Sequence, residues 1–406
     1  MTLASRVLLG LIAGSLLGLT LAGRDGPTVA AILAALMAGG GLFVDLIRMT
    51  AMPLVVSLVI ASVGATTSGG IGRTGLRATV LGVVLLVAAC AGTMLVAEPV
   101  LRRVAADPAA LGTLADGASP RPAPAAPPGL TQWVRDLVPT NVAKAAADGA
   151  MLPVIVFAVL FGLALARVAD ERRAAVLRVV EGVAEAIQHL VSGILRLAPA
   201  GVFALAVPLT ARLGLTAAGA VLTYVVLVVA LTIVAIAALY PIGVIVGRMS
   251  PRAFAAYCAP AQALAFASRS SLATLPAMVQ AAERAAFAPA ASRVVLPLAV
   301  SVFHYGTAVA QTVGVLFLAR LHGVEFTSLE LASVAFAVVL ASSAVPGIPG
   351  GSIIAIVPVL TAAHLPLEGI GLLLAVDAIP DMFRTTANVT GAMTLAAITR
   401  GDARRE

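Results

Sequence analysis

Residues 268–276 read SRSSLATLP, a polar break between two apolar pieces, residues 253–268 and a second run that ends before Glu283. Neither piece crosses a bilayer alone. At about 1.5 Å per residue, about 14 residues reach about 21 Å, against a hydrocarbon core of about 30 Å. The arrangement returns at SSAVPGIPGGS (342–352), between apolar residues 331–341 and 353–367. Each pair reads as a re-entrant helical hairpin, because irregular backbone at membrane depth is tolerated only inside protein or beside a water-filled cavity. Two interrupted segments at corresponding positions, each followed by a full span, are the pattern of inverted repeats with a binding site at the midplane.

The surroundings agree with a membrane setting. The 406 residues are 60% hydrophobic and 11% charged, with a mean hydropathy of +1.06, outside the range of soluble domains. The run from Leu213 to Gly247 holds no Asp, Glu, Lys or Arg. Backbone satisfaction in lipid favours helices over an alternating barrel, so the fold class is an all-α polytopic membrane protein. Spans are predicted near residues 5–22, 42–65, 78–98, 136–166, 181–211 and 215–247, and the Ala-, Pro- and Gly-rich stretch 107–128 reads as an exposed loop.

A net charge of +7 and a pI near 10.4 raise nucleic acid as a partner, but the basic residues are scattered between apolar segments and form no stripe. They read as topological arginines. Arg73 and Arg77, then Arg167, Arg172, Arg173 and Arg178, then Arg248 and Arg252, mark alternate segment ends as cytoplasmic. Arg6 and the cluster Arg400, Arg404 and Arg405 place both termini on that side, which predicts a multi-pass protein of the cytoplasmic membrane. Cys90 and Cys258 sit in apolar surroundings and read as space-filling. The first span runs into Arg24 without a cleavage-site pattern, so no removable signal peptide is expected.

The span after the second hairpin carries DAIPDMFRTTANVTG (377–391). At about 100° per residue, Asp377, Asp381, Arg384 and Asn388 fall within about 60° of one another, with Thr385 beside them. Charges at membrane depth are costly and normally face a cavity or pair with each other. An Asp381–Arg384 bridge that only locks helices together is one reading. The other is a recognition face, since carboxylate, guanidinium and amide on one wall suit a zwitterion with an extra carboxylate. A guanidinium matches a carboxylate bidentately, and an ammonium satisfies Asp381 where a plain dicarboxylate is repelled. Aspartate or glutamate is therefore expected over succinate or malate.

DAIPDMFRTTANVTG resembles the last-helix signature of the glutamate transporter homologues, the dicarboxylate and amino acid:cation symporters, also called sodium:dicarboxylate symporters. GLFVDLIRMTAMPLV (41–55), VPTNVAKAAADGAMLPVIVFAVLFG (138–162), APAGVFAL (198–205), SRSSLATLP and VPGIPGG (345–351) resemble further pieces of that family along nearly the whole chain. The resemblance implies eight transmembrane helices, two re-entrant hairpins, an elevator mechanism and a homotrimer. Residues 1–77 and 101–211 would form the scaffold with helices 1, 2, 4 and 5. Residues 78–100 and 212–406 would form the transport domain: helices 3 and 6, hairpin 1 (about 253–283), helix 7 (about 292–320), hairpin 2 (about 328–366) and helix 8 (about 367–399).

Carried over by position, the resemblance has Arg384 pair with the substrate's side-chain carboxylate and Asp381 accept from its amino group. Asn388, Thr385 and Thr307 complete the contacts. Backbone N–H groups around Ser270, Ser271, Val345 and Gly347 hold the main-chain carboxylate. Arg269 and Asp377 are supporting charges. This chain departs from the sodium-coupled pattern at its ion sites. Positions 303–307 read FHYGT, so Phe303 and Tyr305 stand where that motif has Asn and Asp; Ala392 replaces another Asp, and Leu85 and Leu86 replace hydroxyls. Hard cations want oxygen ligands and countercharge, so two of three sodium sites are expected to be lost. The third is built largely from backbone carbonyls of helix 7 and hairpin 2, which side chains do not report. A proton or no coupling ion is favoured over sodium, with His304, whose unperturbed pKa is about 6.5, as the candidate proton site beside the plain alternative of a hydrogen-bonded interface histidine. No cofactor or metal is expected. A membrane enzyme has no support, since His189, His304, His322 and His364 are dispersed. A channel stays open as an alternative, because polar hairpin tips also line pores.

Overall fold

The computed structural model describes residues 3–24, 26–66, 73–103, 135–213, 215–289, 291–343, 345, 351–367 and 369–400, and among them every regular element is helical. Three long helices come first: α1 (Leu3–Leu21), α2 (Pro27–Thr66) and α3 (Arg73–Arg103). After them come α4 (Val142–Ala147), α5 (Met151–Leu165), α6 (Asp170–Leu195), α7 (Ala198–Leu213) and α8 (Leu215–Ile245). The loop expected over 107–128, Arg404 and Arg405 lie outside the described residues.

Among the described residues, four helices are long and apolar enough to cross a membrane: Pro27–Ala61, Arg77–Arg102, Val221–Ile245 and Leu296–Leu321. A fifth crossing arises if Asp170–Leu195 and Ala198–Ala211, bent by 55°, form one span. Leu42, Leu95, Val179, Leu222 and Ile245 are exposed on these helices, as a lipid-facing surface requires. The second helix starts at Pro27, well before the expected residue 42. Its early turns, TVAAILAALMAGGG, are apolar with no charge to stop them, and the three glycines do not break a helix that lipid leaves no other way to satisfy.

A signal not drawn from the sequence holds α1 in place. Gly10, Gly14 and Gly18 recur every fourth residue and so line one face. A Cβ at each would come within 2.4, 2.8 and 2.5 Å of the carbonyl oxygens of Pro199, Phe203 and Val207 on α7. Small residues let helix backbones approach closely where lipid supplies no hydrophobic drive.

The first interrupted segment is helix–break–helix, and helices flank the tip of the second. Ser250 caps α9 (Pro251–Ser268), its hydroxyl accepting from the Ala253 N–H at 3.2 Å. The chain then turns through Arg269 at φ 54°, and Ser270 caps α10 (Ser271–Arg284) through the Ala273 N–H at 3.2 Å. A left-handed residue followed by a fresh N-cap reverses direction, and α9 and α10 lie against each other. After a π-helical turn at Ala291–Val295 come α11 (Leu296–Val302), a break at Phe303 and His304, and α12 (Tyr305–Leu321). The second hairpin starts with α13 (Ser328–Ser342), opened by a capping box between Thr327 and Glu330. It continues with α14 (Gly351–Ala355) and α15 (Val357–Ala362), which returns along α13. Residues 344 and 346–350, including Gly347, lie outside the described residues. The chain closes with α16 (Gly369–Val376) and α17 (Ala378–Thr399).

Nearly every side chain of α12, and of α17 from Arg384 onward, is buried, so these two helices form the centre of the structure. They touch at Gly306, where a Cβ would stand 2.3 Å from the Arg384 carbonyl oxygen. Any larger residue there pushes the arginine's own backbone away.

Candidate functional site

The polar stripe of α17 is buried as one network. The Arg384 side chain is 3% exposed, Asp377 7% and Asp381 6%. Arg384 Nη1 and Nη2 donate to the two carboxylate oxygens of Asp377 at 2.8 and 3.1 Å, and Nη2 also donates to Asp381 Oδ1 at 2.6 Å. Seven residues are two helical turns, which explains why Asp377 and Arg384 meet. The fork-on-fork geometry makes this the strong kind of ion pair. Asp377 thus clamps the guanidinium through both of its carboxylate oxygens. The triad carries one positive and two negative formal charges, and Asp381 Oδ2 is buried with no hydrogen-bond partner among the described residues.

Asn388 has a role that the sequence did not announce. The break at Phe303–His304 exposes the first N–H groups of α12, and Asn388 Oδ1 accepts from Gly306 N at 2.7 Å and Thr307 N at 3.2 Å. Its Nδ2 donates to Thr307 Oγ1 at 3.3 Å. Asn388 therefore caps α12 from the neighbouring helix and fixes Thr307. Thr385 is buried beside Arg384. From the first hairpin, Ser271 is buried, Ser270 spends its hydroxyl on the α10 cap, and the charge of half-buried Arg269 acts on Asp381. The Ser270 N–H is held by Ser268 Oγ at 3.3 Å, so the anion-holding role expected of that amide competes with a bond inside the turn. Val345, in the second tip, is buried.

Two polar side chains join α12 to the second hairpin. His304 Nδ1 lies 3.0 Å from the Ser342 carbonyl oxygen, and Gln311 Nε2 donates to the Ser352 carbonyl at 3.3 Å. Both are buried. Gln262 on α9 bridges in the other direction, accepting from Tyr240 at 3.1 Å and donating to Thr390 at 2.9 Å. Neither glutamine was singled out in the sequence, because a lone amide in an apolar run carries no charge to betray it.

Residues 3–401 match the sodium:dicarboxylate symporter family. The chain belongs to that family. Curated relatives include the "Proton/glutamate-aspartate symporter" of Escherichia coli (strain K12), 27% identical over 96% of this chain and 90% of the relative. The "Proton/sodium-glutamate symport protein" of Bacillus subtilis (strain 168) is also 27% identical, with the same coverage. The "C4-dicarboxylate transport protein" of Anaeromyxobacter sp. (strain K) is 28% identical over 95% of this chain and 86% of the relative. The family is one of membrane transporters, not enzymes.

Around the α11–α12 break this sodium:dicarboxylate symporter family member is packed largely with apolar side chains. Phe303 lies against α3 at Gly82, where a Cβ would meet the ring at 2.7 Å. Tyr305 is buried against Gly391, and Ala392 and Leu86 are fully buried; Leu85 is partly buried. Among the described residues, no three His, Cys, Asp or Glu side chains gather to hold a metal ion.

Proposed function

We propose that this protein is a secondary transporter that carries an acidic amino acid, aspartate or glutamate, across the cytoplasmic membrane. The observation that carries the reading is Asp381 Oδ2, a buried acceptor without a partner among the described residues, beside a guanidinium. An orphaned acceptor calls for a donor, which a substrate ammonium provides and a plain dicarboxylate lacks. Arg384 keeps two of its five N–H donors outside the bonds to Asp377 and Asp381, enough to begin an exchange with an incoming carboxylate. The second reading, a C4-dicarboxylate, is favoured by the name of the Anaeromyxobacter relative.

In this reading residues 78–100 and 212–406 move as a transport domain against the scaffold 1–77 and 101–211 in each copy of a homotrimer, with both termini cytoplasmic. Packing supports the division: α3 and α8 lie against α12 and α17, while α1 lies on α7, and α2 on α5, α6 and α7. The test is counterflow in proteoliposomes. L-Aspartate and L-glutamate exchange saturably and stereoselectively, and succinate exchanges far more weakly. Equal exchange of succinate selects the dicarboxylate reading, and unsaturated current selects a channel.

A further inference from the structure

We propose that the imidazole of His304 takes the place of a coupling cation between the α11–α12 break and the second hairpin, so that a protein N–H seats the hairpin arm and substrate binding needs no sodium. A helix C-terminus presents carbonyls without intrahelical partners and a partial negative charge, and such ends at helix breaks are where transporters gather cations. Here the chain just past the end of α11, at His304, faces the end of α13 at Ser342.

The carbonyls of the last turn of α13 are already engaged by the protein's own donors. The Ser342 hydroxyl donates to the Val338 carbonyl, and the Ser343 hydroxyl donates to Val339 at 2.9 Å. The Ser343 N–H is shared between Leu340 and Ala341. The Ser342 carbonyl faces His304 Nδ1 at 3.0 Å. A carbonyl only accepts, so Nδ1 carries the proton, and Nε2 is left as a bare, buried acceptor without a partner among the described residues. The charge that acts on the ring is Arg384 of α17, itself tied to Asp377 and Asp381. A neutral imidazole suits that setting, because a cation there would face the guanidinium without a carboxylate of its own. Seven residues on, Gln311 of α12 repeats the device at the start of the second arm by donating to the Ser352 carbonyl. Together with Phe303, Tyr305 and Ala392, this donor set leaves sodium short of both ligands and countercharge.

The binding half of the test rests on the transporter reading above; the exchange half does not. Amide hydrogen exchange over residues 338–343 is measured on purified protein in lipid nanodiscs, in sodium chloride and in choline chloride. Wild type shows equal protection in both salts. His304→Met, which removes the donor, exchanges about tenfold faster, as expected for one lost buried hydrogen bond. His304→Gln, which keeps an N–H, stays near wild type. L-Aspartate titrations of wild type change little with sodium. The proposal is overturned if sodium raises wild-type protection or affinity by about tenfold or more, or if His304→Met matches wild type in exchange. It is likewise overturned if L-aspartate drives proton uptake that His304→Met abolishes, which would make the imidazole a proton carrier. Should no acidic ligand bind in either salt, the substrate reading fails while the exchange data still decide the role of His304.

Discussion

Removing Arg384 separates what the triad does for folding from what it does for recognition. In Arg384→Ala two carboxylates stay buried, less than a tenth exposed, with no counterion between them. Breaking a buried pair in this way costs about 3–5 kcal/mol, so the single variant is expected to be markedly less stable. Asp377→Asn combined with Arg384→Gln removes one charge of each sign. The formal charge of the triad stays at minus one, amide–amide bonds replace the fork, and most of the lost stability returns. Recognition does not return. A bidentate contact with charged partners contributes about 1.5–3 kcal/mol beyond what a neutral ligand gains, which corresponds to about 10- to 150-fold in preference for L-aspartate over L-alanine. Thermal unfolding of detergent-solubilised protein reads the first quantity, and calorimetric titration with both amino acids reads the second. If the double variant regains stability and still prefers aspartate by the wild-type ratio, Arg384 is not the group that reads the acid, and the substrate argument fails with it.

Three further outcomes follow from the same geometry. Gly306→Ala places a methyl 2.3 Å from the Arg384 carbonyl and is expected to cost about 1–3 kcal/mol while weakening aspartate binding, read by melting and titration together. Asn388→Ala leaves the N–H groups of Gly306 and Thr307 without their acceptor; about 1–3 kcal/mol is lost per orphaned donor, and amide exchange at the start of α12 accelerates. Gln262→Leu leaves the Tyr240 hydroxyl without its acceptor while Thr390 keeps its bond to the Thr386 carbonyl, so stability falls by about 1–2 kcal/mol with aspartate affinity unchanged. Loss of affinity there would place Gln262 in the site.

Lengths and charges made much of this molecule legible. SRSSLATLP and SSAVPGIPGGS mark breaks because apolar pieces of such length cannot span, and Asp377, Asp381 and Arg384 share a face because helical spacing dictates it. What stayed hidden depends on partners from distant parts of the chain. Asn388 caps α12 only because the chain breaks at Phe303–His304, and in FHYGT nothing short of the fold reveals that break. For His304 the sequence left a proton site and a hydrogen-bonded interface histidine side by side, and only the fold shows the Ser342 carbonyl against its ring. The glycines of α1 were visible at every fourth position, but which helix they receive is a matter of tertiary structure.

Under the proposed function, the carboxylates resident on Arg384 turn ligand capture into an exchange reaction. Beyond the two N–H donors that Arg384 keeps outside its bonds to Asp377 and Asp381, each bond an arriving anion would form with the guanidinium is offset by one that an aspartate gives up, so the ceiling on tightness is low while the ranking among ligands stays sharp. Departure is correspondingly easy, since the aspartates reclaim the arginine as cargo leaves. That suits a protein whose turnover depends on letting go as readily as on taking hold.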